Sequence, residues 1–302
     1  MKKDISIIIV NYNVKEYIIS CIESIYKHSK SEITFEIIVV DNNSSDGSAN
    51  SINKEFPKIN LIENKTNTGF TKAVNQAAKK SIGKYLFILN PDTLFTEDSL
   101  IKFVEAIKNQ KQVGALGPRL ISNDKLLQKS YWKNPSLPNT LLSLLHLDFL
   151  NYKKNYNNLR FDKITQVDTI SGCAFFLKKE IFFKMNGFNE DLFWMEDIDL
   201  CKRLNKKGLR NYYLPTTTII HYKGKSAETN FKISISNQLI SKIKYFKIHH
   251  SKLSAYLLYI FIIFLSLIKL ILLCLIAPFS GLSRKKFSAY LFSIRSLVLF
   301  RI

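Results

Sequence analysis

The sequence predicts an α/β protein on a mainly parallel central sheet, followed by C-terminal membrane-associated helices. Three observations lead there. Short apolar runs alternate with segments of helical spacing from Ile5 to Ile220, the pattern of strands buried on both faces and joined by crossover helices. The early runs stop abruptly in polar turns, as Leu89 does before Asn90-Pro91-Asp92-Thr93, and open α/β sheets bind ligands at such carboxyl ends. Leu253 to Pro278 is almost entirely apolar and exceeds the ~20 residues a helix needs to cross a bilayer. One α/β domain over 1–230 is therefore expected, with a basic linker and anchoring helices over 231–302.

Ile5 to Val10 is β-branched except for Ser6 and reads as a central strand feeding the turn Asn11-Tyr12-Asn13. It is too short an apolar core for a signal peptide. Val14 to His28 carries Ile18, Cys21, Ile22 and Ile25 at helical spacing. Phe35 to Val40 repeats the strand and ends in Asp41-Asn42-Asn43-Ser44-Ser45-Asp46-Gly47. Ser45 or Asp46 there is a helix N-cap or part of a ligand turn, and both readings stay open. Asp41, directly after the strand, is placed to accept a hydrogen bond from a pyrimidine imide N–H. Ile59 to Glu63 is a third strand, followed by Asn67-Thr68-Gly69-Phe70 and a helix over Thr71 to Lys80. That helix N-terminus and Lys72 offer positive potential to a diphosphate.

Lys84 to Leu89 is the strand that delivers Asp92, a carboxylate placed to hold a metal ion. A helix over Glu97 to Asn109 with Thr96 as N-cap and a strand over Val113 to Ile121 follow. Lys133 to Asp162 breaks the alternation: it is leucine-rich to Leu150, then Asn, Tyr and Lys to Arg160. An acceptor-side loop, a membrane-facing helix and an ordinary core helix all fit it. Val167 to Leu177 resumes as a strand, with small residues at Ser171-Gly172-Cys173-Ala174 where a ligand or another backbone can approach. Lys179 to Lys184 is a short helix. Glu196-Asp197-Ile198-Asp199 opens another with more acid than the helix dipole requires. Asp199 and Arg203 stand at i and i+4 and are expected to pair, which leaves Asp197 for chemistry. Arg210 to Leu214 and Thr217 to Ile220 close the sheet and deliver His221, a structural group or a ligand. Trp194 is a core aromatic or a stacking platform.

The 302 residues carry a formal charge of +20, of which +11 lies beyond Thr229 in a stretch without Asp or Glu. Basic charge beside apolar sequence points to anionic lipid; nucleic acid would attract the charge but leave the apolar run unexplained. The four cysteines, Cys21, Cys173, Cys201 and Cys274, have no paired metal-ligand spacing and are expected to be reduced and structural. Phe287 to Phe300, with Arg295, reads as an interfacial amphipathic helix, and Lys269 as a residue that snorkels, pairs or marks the turn of a shallow hairpin.

Val10-Asn11-Tyr12-Asn13, Val40 to Gly47, Asn67-Thr68-Gly69-Phe70 with Asn75, Leu89-Asn90-Pro91-Asp92, Gly172-Cys173-Ala174, Glu196-Asp197-Ile198-Asp199-Leu200 and His221 follow one another in an order that resembles glycosyltransferase family 2, in particular its bacterial rhamnosyltransferase-like branch. The resemblance covers roughly residues 4–225. It implies a GT-A fold, a nucleotide diphosphate sugar donor and a role in building surface polysaccharide. It also makes Asp41 a reader of the base with Asn11 and Asn13 beside it, and sets Asn67, Gly69, Lys72 and Asn75 around the nucleotide sugar. Asp92 becomes a ligand of Mg²⁺ or Mn²⁺, His221 joins that metal or the diphosphate, and Asp197 becomes the catalytic base with Glu196 as helper or structural cap. The usual Asp-x-Asp is Asn90-Pro91-Asp92 here, with one carboxylate, and Lys178 and Lys179 replace arginines frequent in the family.

The chemistry suits these groups. A divalent cation stabilises the charge that develops on a departing diphosphate, and oxygen ligands suit it. A carboxylate within about 3 Å of the acceptor hydroxyl can take its proton. One base without a second nucleophilic carboxylate implies direct displacement with inversion. A cytosolic donor puts the catalytic domain inside, on the cytoplasmic face of the inner membrane beside a lipid-linked glycan acceptor. Arg284, Lys285, Lys286, Arg295 and Arg301 then favour a hairpin or monotopic insertion with both ends inside. Two alternatives compete: a nucleotidyltransferase, which would want a glycine-rich basic loop that Val10 to Val14 lacks, and a non-catalytic basic membrane-tethered binding protein.

Overall fold

The computed structural model describes residues 3–30, 32–147, 162–222, 231–276 and 280–300. Two compact units divide the chain: Met1–Asn134, Arg160–Glu190 and Glu196–Ser226 form the first, and Pro135–Leu159, Asp191–Met195 and Ala227–Ile302 the second.

The first unit is an α/β sheet unit. Strands β1 (Lys3–Asn11), β2 (Phe35–Asp41), β3 (Asn60–Glu63) and β4 (Gly83–Leu89) run parallel in the order β3-β2-β1-β4. Ile7, Ile8 and Ile9 of β1 are fully buried, as continuous β-branched runs with both faces covered should be. Helices α1 (Lys15–His28), α2 (Ser48–Glu55) and α3 (Phe70–Lys80) make the crossovers, α1 burying the expected Ile18, Cys21, Ile22 and Ile25. The sheet continues through β11 (Ala174–Lys178), antiparallel to β4, then β6 (Val113–Ile121), β12 (Arg210–His221) and β5 (Thr93–Phe95), so it is mixed beyond its parallel half. Phe103 of α4 (Ser99–Asn109) stacks on Phe176 at 5.0 Å and tilts against Phe87 at 4.8 Å, closing the core behind β4 and β11.

Several local expectations need correction. The helix after the Asp41 turn begins at Ser48 with Gly47 in the cap position, so neither Ser45 nor Asp46 is the N-cap. Asp46 accepts the N–H groups of Ser48 (3.0 Å) and Lys15 (2.8 Å) instead, tying two turns together. Thr96 does not cap α4, because Thr93–Phe95 is drawn out as a strand against β12 and the helix starts two residues later than expected. Val167 to Leu177 is not one strand: β9 (Thr165–Val167), β10 (Thr169–Ile170) and β11 are separate pieces, parted at Asp168 and at Ser171-Gly172-Cys173. Conversely, Arg210 to His221 is a single strand, its register to β6 shifting between Leu214 and Thr218 where Pro215 lacks an N–H to donate. Between β6 and β9 lie β7 (Leu127–Gln128) and β8 (Tyr131–Trp132).

In the second unit α5 (Leu137–Leu144) is capped by Ser136, whose side chain accepts the Asn139 N–H. The reading of Asn151 to Arg160 lies outside the described residues. Two short helices of the first unit, α6 (Lys179–Lys184) and α7 (Glu196–Lys206), come next in the chain, followed by α8 (Phe231–His249), α9 (Lys252–Ile276) and α10 (Gly281–Leu299) of the second. Over Lys252–Leu275, α9 is long and apolar enough to cross a membrane, with a mean hydropathy of 2.8 in an 18-residue window. Leu253, Leu257, Phe264, Ile271 and Leu275 stand exposed on it. Lys269 does not mark a turn, since the helix runs straight past it. The reversal comes later, and α10 returns antiparallel: Tyr259 Oη donates to Leu297 O at 3.2 Å and Lys269 Nζ to Tyr290 Oη at 3.3 Å. α10 also starts at Gly281, ahead of the expected amphipathic stretch, and buries Ala289, Ser293 and Leu297 one turn apart.

Candidate active site

The loops at the carboxyl ends of β1 to β4 meet the amino end of β11 and the carboxyl end of β12 along one sheet edge. Asn11 and Asp41 are register partners at the ends of β1 and β2. Asn11 Nδ2 donates to Asp41 Oδ1 at 2.7 Å, and Asp41 Oδ2 accepts the Ser44 N–H at 2.8 Å. Asp41 is thus buried and engaged in shaping its own loop, with the remaining acceptor capacity of a carboxylate left over. Asn11 Oδ1 is buried without a partner. Asn13, held at φ 53°, accepts the Ser45 N–H at 2.7 Å and completes the brace between the two turns.

The third turn is tied on by Asn42, whose Oδ1 accepts from Asn64 (2.9 Å) and Thr68 (3.1 Å). Asn67 Oδ1 accepts the Gly69 N–H at 3.0 Å. Gly69 sits at φ 84°, ψ 165°, a region open essentially to glycine alone, and this lets the chain turn directly into α3. Lys72 is exposed in the first turn of that helix. Asn75 is not brought to this group as a free side chain. Its amide donates to Phe188 O (2.9 Å) and Glu190 Oε1 (3.0 Å) and accepts the Phe188 N–H (3.0 Å), fastening α3 to the turn after Gly187.

Asp92 and His221 do meet. Pairing of β5 with β12 sets Thr93 opposite His221, and Tyr222 N–H donates to Asp92 O at 2.9 Å. Asp92 Oδ1 lies 3.5 Å from His221 Nε2, with both side chains nearly buried. Gln128, which no motif singles out, grips the histidine on its other side: its Nε2 donates to His221 O at 2.7 Å, which turns its Oε1 toward Nδ1 at 3.2 Å. Nδ1 is therefore the donor, and in the neutral ring Nε2 keeps a lone pair facing the carboxylate. That Nε2 is buried without a hydrogen-bond partner. An oxygen and a nitrogen lone pair facing each other fit a divalent cation, provided a diphosphate and water supply the other ligands. Among the described residues no group of three or more His, Cys, Asp and Glu side chains gathers as a complete protein cage.

Asp197 joins the same edge through β11. Asn90 N–H donates to Cys173 O at 2.8 Å, and the Gly172 N–H next to it donates to Asp197 Oδ2 at 2.8 Å, while Asp197 Oδ1 accepts the Ile198 N–H at 2.8 Å. A Cβ on Gly172 would stand 3.2 Å from Asp197 Cβ and 3.3 Å from its Oδ2, so only glycine allows this fit without displacement. Burial pushes the Asp197 carboxyl up to about 6 in spite of the N–H groups that favour its charge. Glu196 is raised well above its ordinary value, by burial first and by the charge of Asp197 second, and its Oε2 is buried without a partner. Both carboxyls thus hold a proton more tightly than exposed acids do, as environments that set up acid–base chemistry require. Burial pushes the neighbouring Cys173 thiol up to about 12, so it is no nucleophile. Asp199 pairs with Arg203 at 2.7 Å, as its spacing predicts.

Comparison with known proteins agrees with this architecture. The sequence profile of glycosyl transferase family 2 matches residues 6–182, and one described as the N-terminal domain of galactosyltransferase matches residues 155–227. The N-acetylglucosaminyl-diphospho-decaprenol L-rhamnosyltransferase of Mycobacterium tuberculosis is 26% identical over 208 residues, 63% of this chain and 67% of that one. Rhamnosyltransferase WbbL of Escherichia coli K12 is 25% identical over 249 residues, 79% of this chain and 91% of that one. Among solved structures, the mannosyltransferase PcManGT of Pyrobaculum calidifontis in complex with GDP-Man and Mn²⁺ superposes with a TM-score of 0.60 at 16% identity, covering 99% of this chain and 88% of that one. GalNAc-T7 with UDP, GalNAc and Mn²⁺ gives 0.56 at 13% identity, covering 81% of this chain, which spans half of that one. The match over more than half of the chain, on a GT-A-like fold, shows that this protein belongs to glycosyl transferase family 2.

Proposed function

We propose that this chain transfers a sugar from a nucleotide diphosphate donor, with inversion, to a hydroxyl of a glycan carried by a membrane lipid. The observation that carries the reading is the placement of Asp197 and the Asp92–His221 pair on one sheet edge, beside the braced turns at Asn11, Asp41 and Asn67. Those turns would hold the nucleotide, with Lys72 beside its diphosphate. Asp92 and His221 would hold Mg²⁺ or Mn²⁺, which when bound offsets the charge developing on the departing diphosphate. Asp197 takes the proton of the acceptor hydroxyl as that oxygen bonds to the anomeric carbon and the bond to the diphosphate breaks. Glu196 stands beside that base, its affinity for a proton raised by burial and then by the charge of Asp197. Rhamnose is our donor assignment, supported by the two relatives named as rhamnosyltransferases. Residues 231–302 would anchor the catalytic domain 1–230 at the cytoplasmic face, α9 and α10 entering the bilayer as a hairpin, near anionic lipid and with no nucleic acid partner.

A donor screen by nucleotide diphosphate release tests this, using purified protein in detergent with Mg²⁺ or Mn²⁺ and a lipid-linked acceptor, beside Asp92→Ala and Asp197→Asn. Metal-dependent release from one donor, lost in both variants, is expected. Unchanged release in both variants would remove the mechanism.

A further inference from the structure

The helical unit holds a pocket that the sugar-transfer site does not use. It has a volume of about 180 Å³ and is lined by residues of α5, α8, α9 and α10 and by His146 in the turn after α5, among them Ser143, Gln238, Lys242, Ser266, Lys269 and Tyr290. Lys269 lies deep within the apolar helix α9, where an ammonium is costly unless something answers its charge. Its hydroxyl partner Tyr290 contributes a ring 5.5 Å away but no charge. Lys242 reaches the same space from α8, and burial depresses its affinity for a proton. Among the described residues no carboxylate pairs with either lysine or lines the pocket, and from Phe231 onward the chain contains no Asp or Glu at all.

Two lysines facing one cavity without a carboxylate invite an anion, which would also restore the proton affinity that burial takes from Lys242. Ser143, Gln238, Ser266 and Tyr290 add neutral donors of the kind that complete an oxyanion's shell. The flank of α9 outside the pocket presents Tyr256, Leu257, Ile260, Phe264 and Leu267 to the surroundings, a surface suited to hydrocarbon chains. We propose that this pocket binds the phosphate headgroup of a membrane lipid between Lys242 and Lys269, with the lipid chain lying along α9. With α9 and α10 proposed to enter the bilayer, the phosphate at hand is that of a lipid headgroup, whose chain the exposed apolar flank of α9 would accommodate. The assignment rests on the membrane attachment proposed above and is independent of the residues that carry out sugar transfer.

The test uses the full chain in detergent micelles and measures binding of a polyprenyl diphosphate, of the corresponding polyprenol, and of inorganic pyrophosphate. The wild type should bind the polyprenyl diphosphate at least about tenfold more tightly than either of the other two. The double variant Lys242→Gln, Lys269→Met should lose that preference, and Lys242→Arg should keep it. Thermal melts of each variant identify loss of fold, and nucleotide binding on the same preparations reads the transfer site separately. A preference that survives the double variant would overturn the proposal. So would pyrophosphate binding as tightly as the lipid, which would mark the site as one for a soluble anion.

Discussion

Asp197→Asn separates the proposed part of this carboxylate in the reaction from its effect on the fold. Its pKa rises from an ordinary 3.8 to about 6, with burial as the main cause. Two units at 1.36 kcal/mol each amount to about 3 kcal/mol. The sign follows from proton counting: between those two values the folded protein holds a proton that the unfolded chain has released, so stability falls as pH rises through the window. Above about pH 6 the folded state bears the whole cost of the buried charge. Asparagine cannot ionise, but its single oxygen can answer only one of the Gly172 and Ile198 N–H groups in the present geometry. Partial exposure and that lost bond reduce the expected gain to about 1–2 kcal/mol near neutrality. Thermal melts should show the variant more stable by about 2–4 °C per kcal/mol near pH 7, with the advantage gone near about pH 4. Turnover should drop by about 10²- to 10⁴-fold, the usual share of a general base. Wild-type turnover should itself fall as pH drops through about 6. A variant that is no more stable near neutrality than near pH 4 would refute the burial argument, and retained turnover would refute the role as base.

Other outcomes follow from particular contacts. Gly172→Ala places a methyl against Asp197 at about the distance where a neighbour has to move, so turnover should fall by about tenfold or more while donor binding, read by nucleotide titration, holds. Gln128→Ala frees His221 to rotate and to change tautomer; the Mn²⁺ concentration for half-maximal activity should rise about 10- to 100-fold with little change in melting temperature. Arg203→Ala removes the ion pair from the fully buried Asp199 and should destabilise the fold by about 3–5 kcal/mol in denaturant melts. A Ser283→Cys variant on a Cys274→Ser background should resist impermeant maleimide added outside intact cells, since the α9–α10 hairpin returns Leu297 beside Tyr259; rapid labelling would contradict the hairpin.

What the sequence disclosed and what it hid differ in physical kind. Strands buried on both faces announce themselves, so β1, β2 and β4 stand where their apolar runs end, and Asn11, Asp41 and Asp92 stand at their carboxyl ends. Asp199 and Arg203 were visible because helix geometry fixes their meeting. Contacts made across the fold were not visible. Gln128 lies on a two-residue strand with no pattern of its own, and only the pairing of β6, β7 and β12 carries it to His221. Asn75 reads in sequence like its polar neighbours at the ligand turn, yet its partners lie more than a hundred residues away in the Phe188 turn. The Thr93–Phe95 strand was masked as the approach to a helix, because its partner among the described residues is the late strand β12. Lys269 looked like an interruption of an apolar segment, and its company with Lys242 needed the packing of helices that follow one another by tens of residues.

The central claim is a single displacement at the anomeric carbon, assisted by Asp197. The most direct test is the anomeric configuration of the product, read by NMR from the coupling at the anomeric proton after reaction of the accepted donor with a lipid-linked acceptor. The account predicts the configuration opposite to that of the donor. A product that retains the donor's configuration would require a covalent or front-face route, and would contradict the role given to Asp197.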